Sequence, residues 1–346
     1  MTKKIAVVLF NLGGPDNLDS VQPFLFNLFF DKAIINLIKP LRWLVAQIIS
    51  RRRKTTAQEI YKLIGGKSPI LELTKAQANA LEKELAKYCN GRVFVSMRHW
   101  HPMTEETVES VKVYDPDEII LLPLYPQFSK TTSGSSLKEW KRVCKNKGLE
   151  VVTKIICCYP ENVGWIDAQV ELIESTIKQI TDIKTYRILF SAHGLPKKII
   201  EEGDPYQSQV EETVSEVVAK LSRPELDWVI CYQSRVGPLE WIGPSTEDEL
   251  QKAGLDKKNV IVVPIAFVSD HSETLVELDI EYKELAASFG IDKFYRVPVT
   301  GTHPKFIEGL SKMIFNASEK TGKLFPEARK KSFFCGIDFK ECQKFQ

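Results

Sequence analysis

The sequence predicts an α/β protein of two similar domains, each built on a parallel sheet. Three observations carry this. Short apolar runs rich in β-branched residues alternate with longer helical patterns, as strand–helix–strand units require. Several segments recur in both halves in the same order. The 346 residues also suffice for two cores of ordinary size.

In the first half, strands are expected at Ile5–Asn11, Val93–Met97, Glu118–Leu124 and Val151–Ile156. In the second they are expected at Tyr186–Ser191, Trp228–Tyr232, Asn259–Ile265 and near Phe294–Val297. The recurrences follow this order. Leu9-Phe10-Asn11 leads to Gly13-Gly14-Pro15 much as Leu189-Phe190-Ser191 leads to Gly194-Leu195-Pro196. "VFVSMR" (93–98) resembles "VICYQSR" (229–235), and Leu121-Leu122-Pro123-Leu124 resembles Val262-Val263-Pro264-Ile265. The offsets between copies are 180, 136 and 141 residues. An insertion of about 40 residues between the first two strands of the first copy accounts for the excess. The division expected is therefore 1–165, with the insertion at about 20–60, then 166–305, then a helix and Cys-containing tail over 306–346.

Within the insertion, Ile34, Leu37, Ile38, Leu41, Leu44, Val45, Ile48 and Ile49 fall at helical spacing, with Pro40 as a break or first-turn residue. Asp31, Lys32, Lys39 and Arg42 interrupt the stretch Phe24–Ile49, so it falls short of the ~20 apolar residues that span a bilayer. Read from its residues, the stripe packs on its own core; the basic run Arg51–Lys54 after it also suits a helix lying on a membrane surface.

Composition narrows the function classes. A net charge of +2 gives no reason to expect a nucleic-acid partner. Seven cysteines without a signal peptide do not suggest a disulfide framework, and with no targeting segment at "MTKKIAVVLF" a reducing, cytoplasmic setting is expected. "NLGGPDN" (11–17) lacks the third glycine of a dinucleotide loop, and Pro15 removes a donor, so no nucleotide is expected. "TTSGSS" (131–136) reads as a phosphate nest or a hydroxyl-rich helix start.

In open α/β sheets, ligands bind beyond the carboxyl ends of strands. His193, one of only five histidines, sits at such an end in "RILFSAHGLPKKIIEEGDPY". So does "AFVSDHSETLVELDIEY" (266–282), where Asp270 is expected to cap a helix and Glu273 to complete a capping box. Glu273, Glu277 and Glu281 then share one helix face, beginning beside His271. A solvated acidic stripe and a relay for protons or cations are equally open readings. Imidazole with carboxylate suits Fe²⁺ and similar divalent ions, and also suits proton abstraction. Without HExxH, CxxC or a compact His cluster, a tightly held zinc is not expected. Cys157-Cys158, Cys335 and Cys342 read either as unliganded thiols or as thiolates for an iron–sulfur cluster.

Two of these blocks, "LFSAHGLPKKIIEEGDPY" and "PIAFVSDHSETLVELDIEY", resemble the signatures of the ferrochelatase family. "NLGGPDNLDSVQPFLFNLFFD", "YKLIGGKSPI", "MRHWHPMTEE", "LPLYPQFSKTTSGSS" and "QSRVGPLEWIGPSTEDEL" agree with it, in family order across nearly the whole chain. The resemblance implies a chelatase-like fold of two Rossmann-like domains with the active-site cleft between them. It implies a lyase that inserts Fe²⁺ into protoporphyrin IX to form protoheme, the last step of heme biosynthesis, releasing two protons. By motif position His193 and Glu273 become the metal and catalytic pair, and His271, Glu277 and Glu281 a path for protons or metal. Arg52, Arg53, Tyr61 and Ser68 match the residues that hold the propionates; Arg98, Trp241 and Phe267 match the porphyrin pocket. Residues 20–50 match the apolar lip of membrane-associated members, which turns the expectation towards peripheral contact on the inner membrane face. Cluster-bearing members have three tail cysteines and a fourth upstream. Here the tail has Cys335 and Cys342, Lys130 stands where some members have the upstream cysteine, and Cys158 or Cys157 would have to substitute in any [2Fe–2S] site. Two alternatives follow: a coproporphyrin III ferrochelatase, and a non-catalytic tetrapyrrole or heme carrier.

Overall fold

The computed structural model describes residues 3–235 and 237–319. These fall into two compact units, residues 3–158 with 310–319, and residues 159–309.

The first unit holds a parallel sheet of β1 (Lys4–Asn11), β2 (Asn90–Met97), β3 (Glu118–Pro123) and β4 (Val152–Ile155), in the order β2-β1-β3-β4. The second repeats the plan with β5 (Tyr186–His193), β6 (Asp227–Gln233), β7 (Asn259–Pro264) and β8 (Phe294–Arg296), in the order β6-β5-β7-β8. All eight predicted strands are present. Helices cover both faces of such a sheet, so its central strands are buried on both sides and read as unbroken apolar runs. Ile5 to Phe10 and Val260 to Val263 are buried throughout.

The same property misled the motif alignment by one residue. Matching the apolar strings sets Asn11 against Ser191. In the ladders, Phe10 lies opposite Pro123 and Ser191 opposite Pro264, so with the prolines superposed Phe10 corresponds to Ser191. A strand with one solvated face would betray such a slip, because every side chain would change face; a strand buried on both faces does not.

The insertion forms two helices, Val21–Phe29 and Lys39–Leu63, the second with Pro40 in its first turn. The first buries Val21, Phe24 and Leu25 against Tyr61. The core-packed reading of the apolar stripe is overturned. Along Lys39–Leu63 only Ala46, Ser50 and Tyr61 are buried, while Ile38 is 68% exposed and Leu41, Trp43, Leu44 and Ile48 are exposed too. In its first half small side chains, Ala46 and Ser50, let that helix approach the unit closely, and Leu41, Trp43, Leu44 and Ile48 face out. Among the described residues, no helix is long and apolar enough to cross a membrane.

The last helix among the described residues, Pro304–Glu319, ends on a buried cation. Lys154 Nζ donates to the carbonyls of Ala317 (2.9 Å) and Ser318 (2.8 Å) and pairs with the buried Glu118 at 2.9 Å. A cation there complements the negative end of the helix dipole.

Candidate active site

β5 carries the site because its run Ile188–Ala192 is wholly buried and its last residue, His193, emerges where burial ends. Gly194 then has to be a glycine. A Cβ at this position would lie 2.8 Å from the Gln233 carbonyl and 3.3 Å from the Trp241 ring. Backbone hydrogen bonds from Lys197 to Glu240 (2.8 Å) and from Ile242 to Leu195 (3.0 Å) pin the following loop.

After β7 the chain enters a wide π-helical stretch, Glu273–Glu281. Asp270 does not cap it. Its carboxylate instead meets Arg296 at 3.1 Å, and the same guanidinium reaches Asp279 at 2.6 Å, so the end of β8 clamps both flanks of the helix. Glu273 completes no capping box either; the buried Thr274 hydroxyl accepts from the His271 amide at 3.0 Å. The capping prediction failed because a half-buried arginine outcompeted backbone amides for Asp270.

The structure brings together four of the predicted residues. His193 Nδ1 and Glu273 Oε2 are 2.9 Å apart. His271 Nε2 lies 3.6 Å from the same oxygen, while its Nδ1 is 3.1 Å from the Ser269 carbonyl, which orients the ring. Phe267 packs on that ring, with centroids 5.0 Å apart. Side-chain exposure falls from 37% at His193 to 27% at Glu273 and 11% at His271, so His193 is the member most open to a ligand. Burial alone would discharge both imidazoles, but Glu273 more than offsets it, chiefly by its charge at His193 and by hydrogen bonding at His271, and both are raised above the usual histidine range. Burial would likewise neutralise Glu273, yet the two histidines hold it well below the usual carboxylate range. Glu273 is thus a carboxylate between two imidazoles whose proton affinity it raises.

Glu277 behaves differently. Burial, then the charge of Glu273, push it above the usual carboxylate range. Gln233 Nε2 (3.0 Å), the Ser234 amide (2.7 Å) and the Ser234 hydroxyl donate to its carboxyl. Gln233 also reaches the Glu273 carbonyl at 3.2 Å, and its own Oε1 accepts from Ser191 at 2.9 Å. Glu281 is exposed at the end of the helix. The acidic ladder is therefore neither a fully solvated stripe nor a buried one. It grades from the histidines out to solvent.

Gln233, Ser234, Tyr282 and Glu247 all belong to this network, and sequence reasoning gave none of them a role. "VICYQSR" read only as a strand repeat, and Tyr282 only as the end of a motif. Gln233 and Ser234 lie 44 and 43 residues from Glu277, and Glu247 lies 35 from Tyr282, so no local pattern pairs them; Tyr282 meets Glu277 at a five-residue spacing that a wide π-helical turn provides.

The predicted substrate residues of the first unit divide in two. Arg52 and Arg53 are exposed, with the Arg53 guanidinium 5.8 Å from the Phe29 ring centre. Tyr61 and Ser68 are buried: Tyr61 packs in the helical insertion, and Ser68 fills the space above Gly14, whose added Cβ would lie 2.5 Å from the serine Cβ. Arg98 is engaged by Asp31 at 2.9 Å and by Ser135 Oγ at 2.7 Å, and Ser135 also donates to Asp31. Beside them His99 is fully buried; burial first and then Arg98 lower its pKa to about 3, against the pull of Asp31. The hydroxyl-rich segment is a helix start, Ser133–Lys147, with Ser133, Ser135 and Ser136 buried. Cys158 is buried with its Sγ 3.8 Å from that of Cys157; Cys335 and Cys342 lie outside the described residues.

Comparison with known proteins finds matches over nearly the whole chain. The family model described as Ferrochelatase matches residues 4–318. The ferrochelatase of Pelagibacter ubique is 50% identical over 344 residues, 98% of each chain, and that of Caulobacter vibrioides 49% identical over 345 residues, 99% of this chain and 98% of its own. The ferrochelatase of Rickettsia bellii is 52% identical over 320 residues, 92% of this chain and 88% of its own. Among solved structures, SirB from Bacillus subtilis with Fe³⁺ superposes with a TM-score of 0.51 at 14% identity, over 91% of this chain and 96% of that one. At that identity the likeness speaks for the two-domain chelatase fold alone.

Proposed function

The chain belongs to the ferrochelatase family, a family of metal-inserting lyases of heme synthesis, and from that membership we propose that it inserts Fe²⁺ into protoporphyrin IX, releasing two protons. The observation that carries this reading is the His193–Glu273 contact of 2.9 Å with His271 at 3.6 Å on the same oxygen.

The chemical problem is to give a metal to a ligand that must lose two protons first. Bending the flat macrocycle exposes nitrogen lone pairs, at the expense of binding energy from remote contacts. Imidazole and carboxylate are adequate but not tenacious ligands for Fe²⁺, so a pair of them can hold the substrate ion and release it. The half-exposed His193 meets the incoming groups. Glu273 stays ionised, balances the charge of an imidazolium and orients the ring through Nδ1. His193 takes a pyrrole proton at Nε2, its Nδ1–H donating to the Glu273 carboxylate, and His271, 3.6 Å from the same oxygen, is the second acceptor. Glu277, whose proton affinity burial and the charge of Glu273 raise, is the next station outward, followed by Glu281.

We assign the propionates to Arg52, Arg53, Tyr61 and Ser68, and the walls around the macrocycle to Arg98, Trp241 and Phe267, by motif position. The exposed apolar side chains of Lys39–Leu63, followed by Arg51 to Lys54, support a lip that rests on the inner face of a membrane, in the cytoplasm. The same lip favours protoporphyrin over the four-propionate coproporphyrin III. Cys158 with Cys335 and Cys342 would supply three of the four thiolates that a [2Fe–2S] cluster takes; visible absorption of anaerobically purified protein tests it. The deciding experiment is anaerobic turnover of Fe²⁺ with each porphyrin. Faster metallation of protoporphyrin is expected. Faster metallation of coproporphyrin would reassign the substrate, and porphyrin binding without metallation would leave a carrier.

A further inference from the structure

Beyond Glu277 the hydrogen bonding does not stop. The Tyr282 hydroxyl lies 3.0 Å from Glu277 Oε1 and 2.9 Å from Glu247 Oε1. The phenol ring is buried among Leu250, Ala253, Leu278 and Ala286. Glu247 is half-buried in the first turn of the helix Thr246–Leu255, next to the helix N-terminus, a place that accommodates negative charge. Ser234 and Gln233 hold the Glu277 carboxyl from its other sides, so it is aimed at the tyrosine.

A proton count gives this trio its meaning. A phenol has one hydrogen and can donate to only one of the two carboxyl groups. For both contacts to be hydrogen bonds, one carboxyl must carry a proton and donate it to the phenol oxygen. The chain is then Glu277–H to Tyr282 and Tyr282–H to Glu247, or the reverse. Passing from one arrangement to the other moves a proton from end to end: Glu277 gives its proton to the phenol oxygen as the phenol hydrogen goes to the Glu247 carboxylate. Glu277 is left ionised, Glu247 is left neutral, and the tyrosine is unchanged. Glu247 then loses its proton to water, and the hydroxyl turns back.

We propose that Tyr282 and Glu247 form the outer part of the proton exit from the site, carrying protons from Glu277 towards the surface. The proposal rests on the metallation reading above, which supplies the protons. Burial, then the two flanking carboxyls, raise the phenol pKa, so a free phenolate is disfavoured and the two transfers are concerted. By family resemblance the exit runs along the helix to Glu281 instead; the geometry offers this branch, which leaves the helix at the residue after it.

The test uses the full chain and steady-state metallation of protoporphyrin IX by Fe²⁺, in H₂O and in D₂O, for wild type, Tyr282→Phe and Glu247→Gln. Phenylalanine keeps the packing and removes only the relay atom. Both variants are expected to lose about tenfold in kcat, within the range of assisted proton transfer, with KM for porphyrin unchanged and a larger solvent isotope effect. A purely structural role would leave the isotope effect alone. A kcat loss below about fivefold, a KM that rises in step, or an unchanged isotope effect overturns the proposal. So does a loss produced by Glu281→Gln and not by Tyr282→Phe. If Tyr282→Phe fails to fold, Glu247→Gln decides by the same criteria. A wild type that binds porphyrin without metallating it overturns the functional reading itself, a separate and recognisable failure.

Discussion

The two units share one sheet plan and differ in what they place where their first strand ends. In the second, β5 ends on His193, and the helix after β7 brings Glu273 and His271 onto it. In the first, superposing the sheets at Pro123 and Pro264 sets Leu12 in the place of His193. The polar groups near there are locked to each other: Asp31 holds Arg98 and Ser135, and His99 is buried and neutral. One unit keeps titratable groups open, and the other closes its own and displays an apolar lip. Duplication supplies the scaffold twice, and the chemistry needs only one copy.

The sharpest way to break this contrast is truncation at the equivalent positions. His193→Ala and Glu273→Gln should each lower metallation about 10³-fold, as loss of an acid–base group does, while porphyrin binding, read by fluorescence quenching, persists. Leu12→Ala should leave kcat within about twofold. Loss of porphyrin binding in His193→Ala would show that it serves the fold rather than the reaction.

Glycines at the two strand exits give the next effect. A methyl on Gly14 meets the Ser68 side chain at 2.5 Å, and one on Gly194 meets the Gln233 carbonyl at 2.8 Å. Each alanine variant should cost about 1–3 kcal/mol, measured by denaturant unfolding. Their kinetics should part. Gly194→Ala displaces Gln233, which holds Glu277, and lowers kcat; Gly14→Ala shifts Ser68 and raises KM for the porphyrin. Matching changes in both variants would erase the proposed division of labour.

The titration of the units supplies a third test. His99 ionises with difficulty when folded, at a pKa of about 3, against 6.5 in the unfolded chain. Between those values the unfolded chain binds the extra proton. Its contribution is therefore intact above pH 6.5 and is lost as pH falls, by up to about 1.4 kcal/mol per pH unit. Urea unfolding of wild type and His99→Gln at pH 7 and pH 5 should show the wild type losing more on acidification. Equal losses would mean that His99 is charged in the folded state. The histidines of the second unit have the opposite sign: raised by Glu273, they stabilise fully below pH 6.5 and lose that contribution as pH rises through their folded values.

How much of this the sequence carried depends on the distance over which each feature is decided. All eight strands were legible, because a buried strand is a local apolar run, and His193 and Glu273 stood out by family motif and by position at strand ends. The register of β1 was not legible to within one residue, since either parity of a doubly buried strand looks alike. Asp270 satisfied every local rule for a cap and went to Arg296 instead, a partner 26 residues away. Glu247, 35 residues from Tyr282, was invisible as the end of the Glu277–Tyr282–Glu247 chain for the same reason. The outward face of Lys39–Leu63 was ambiguous in kind: periodicity identifies an apolar stripe and is silent on whether protein or something else covers it.

That stripe yields the smallest effect on stability and the cleanest separation of the two units. A leucine inside a core, such as Leu9, contributes several kcal/mol, and Leu9→Ala should cost about 2–5 kcal/mol. Leu41 is exposed on the lip, so Leu41→Ser should change unfolding free energy by no more than about 0.5 kcal/mol. What it should change is partition onto anionic lipid vesicles, where apolar side chains beside Arg51, Arg52 and Arg53 act together. Sedimentation with vesicles should show weaker binding for Leu41→Ser and for Trp43→Ser, and weaker binding again at high salt as the arginines are screened. If the substitution destabilises the fold as Leu9→Ala does, the helix is covered in solution and the lip is core. If stability and vesicle binding both stay unchanged, the exposed stripe meets the porphyrin rather than the membrane, and its loss should appear as a higher KM.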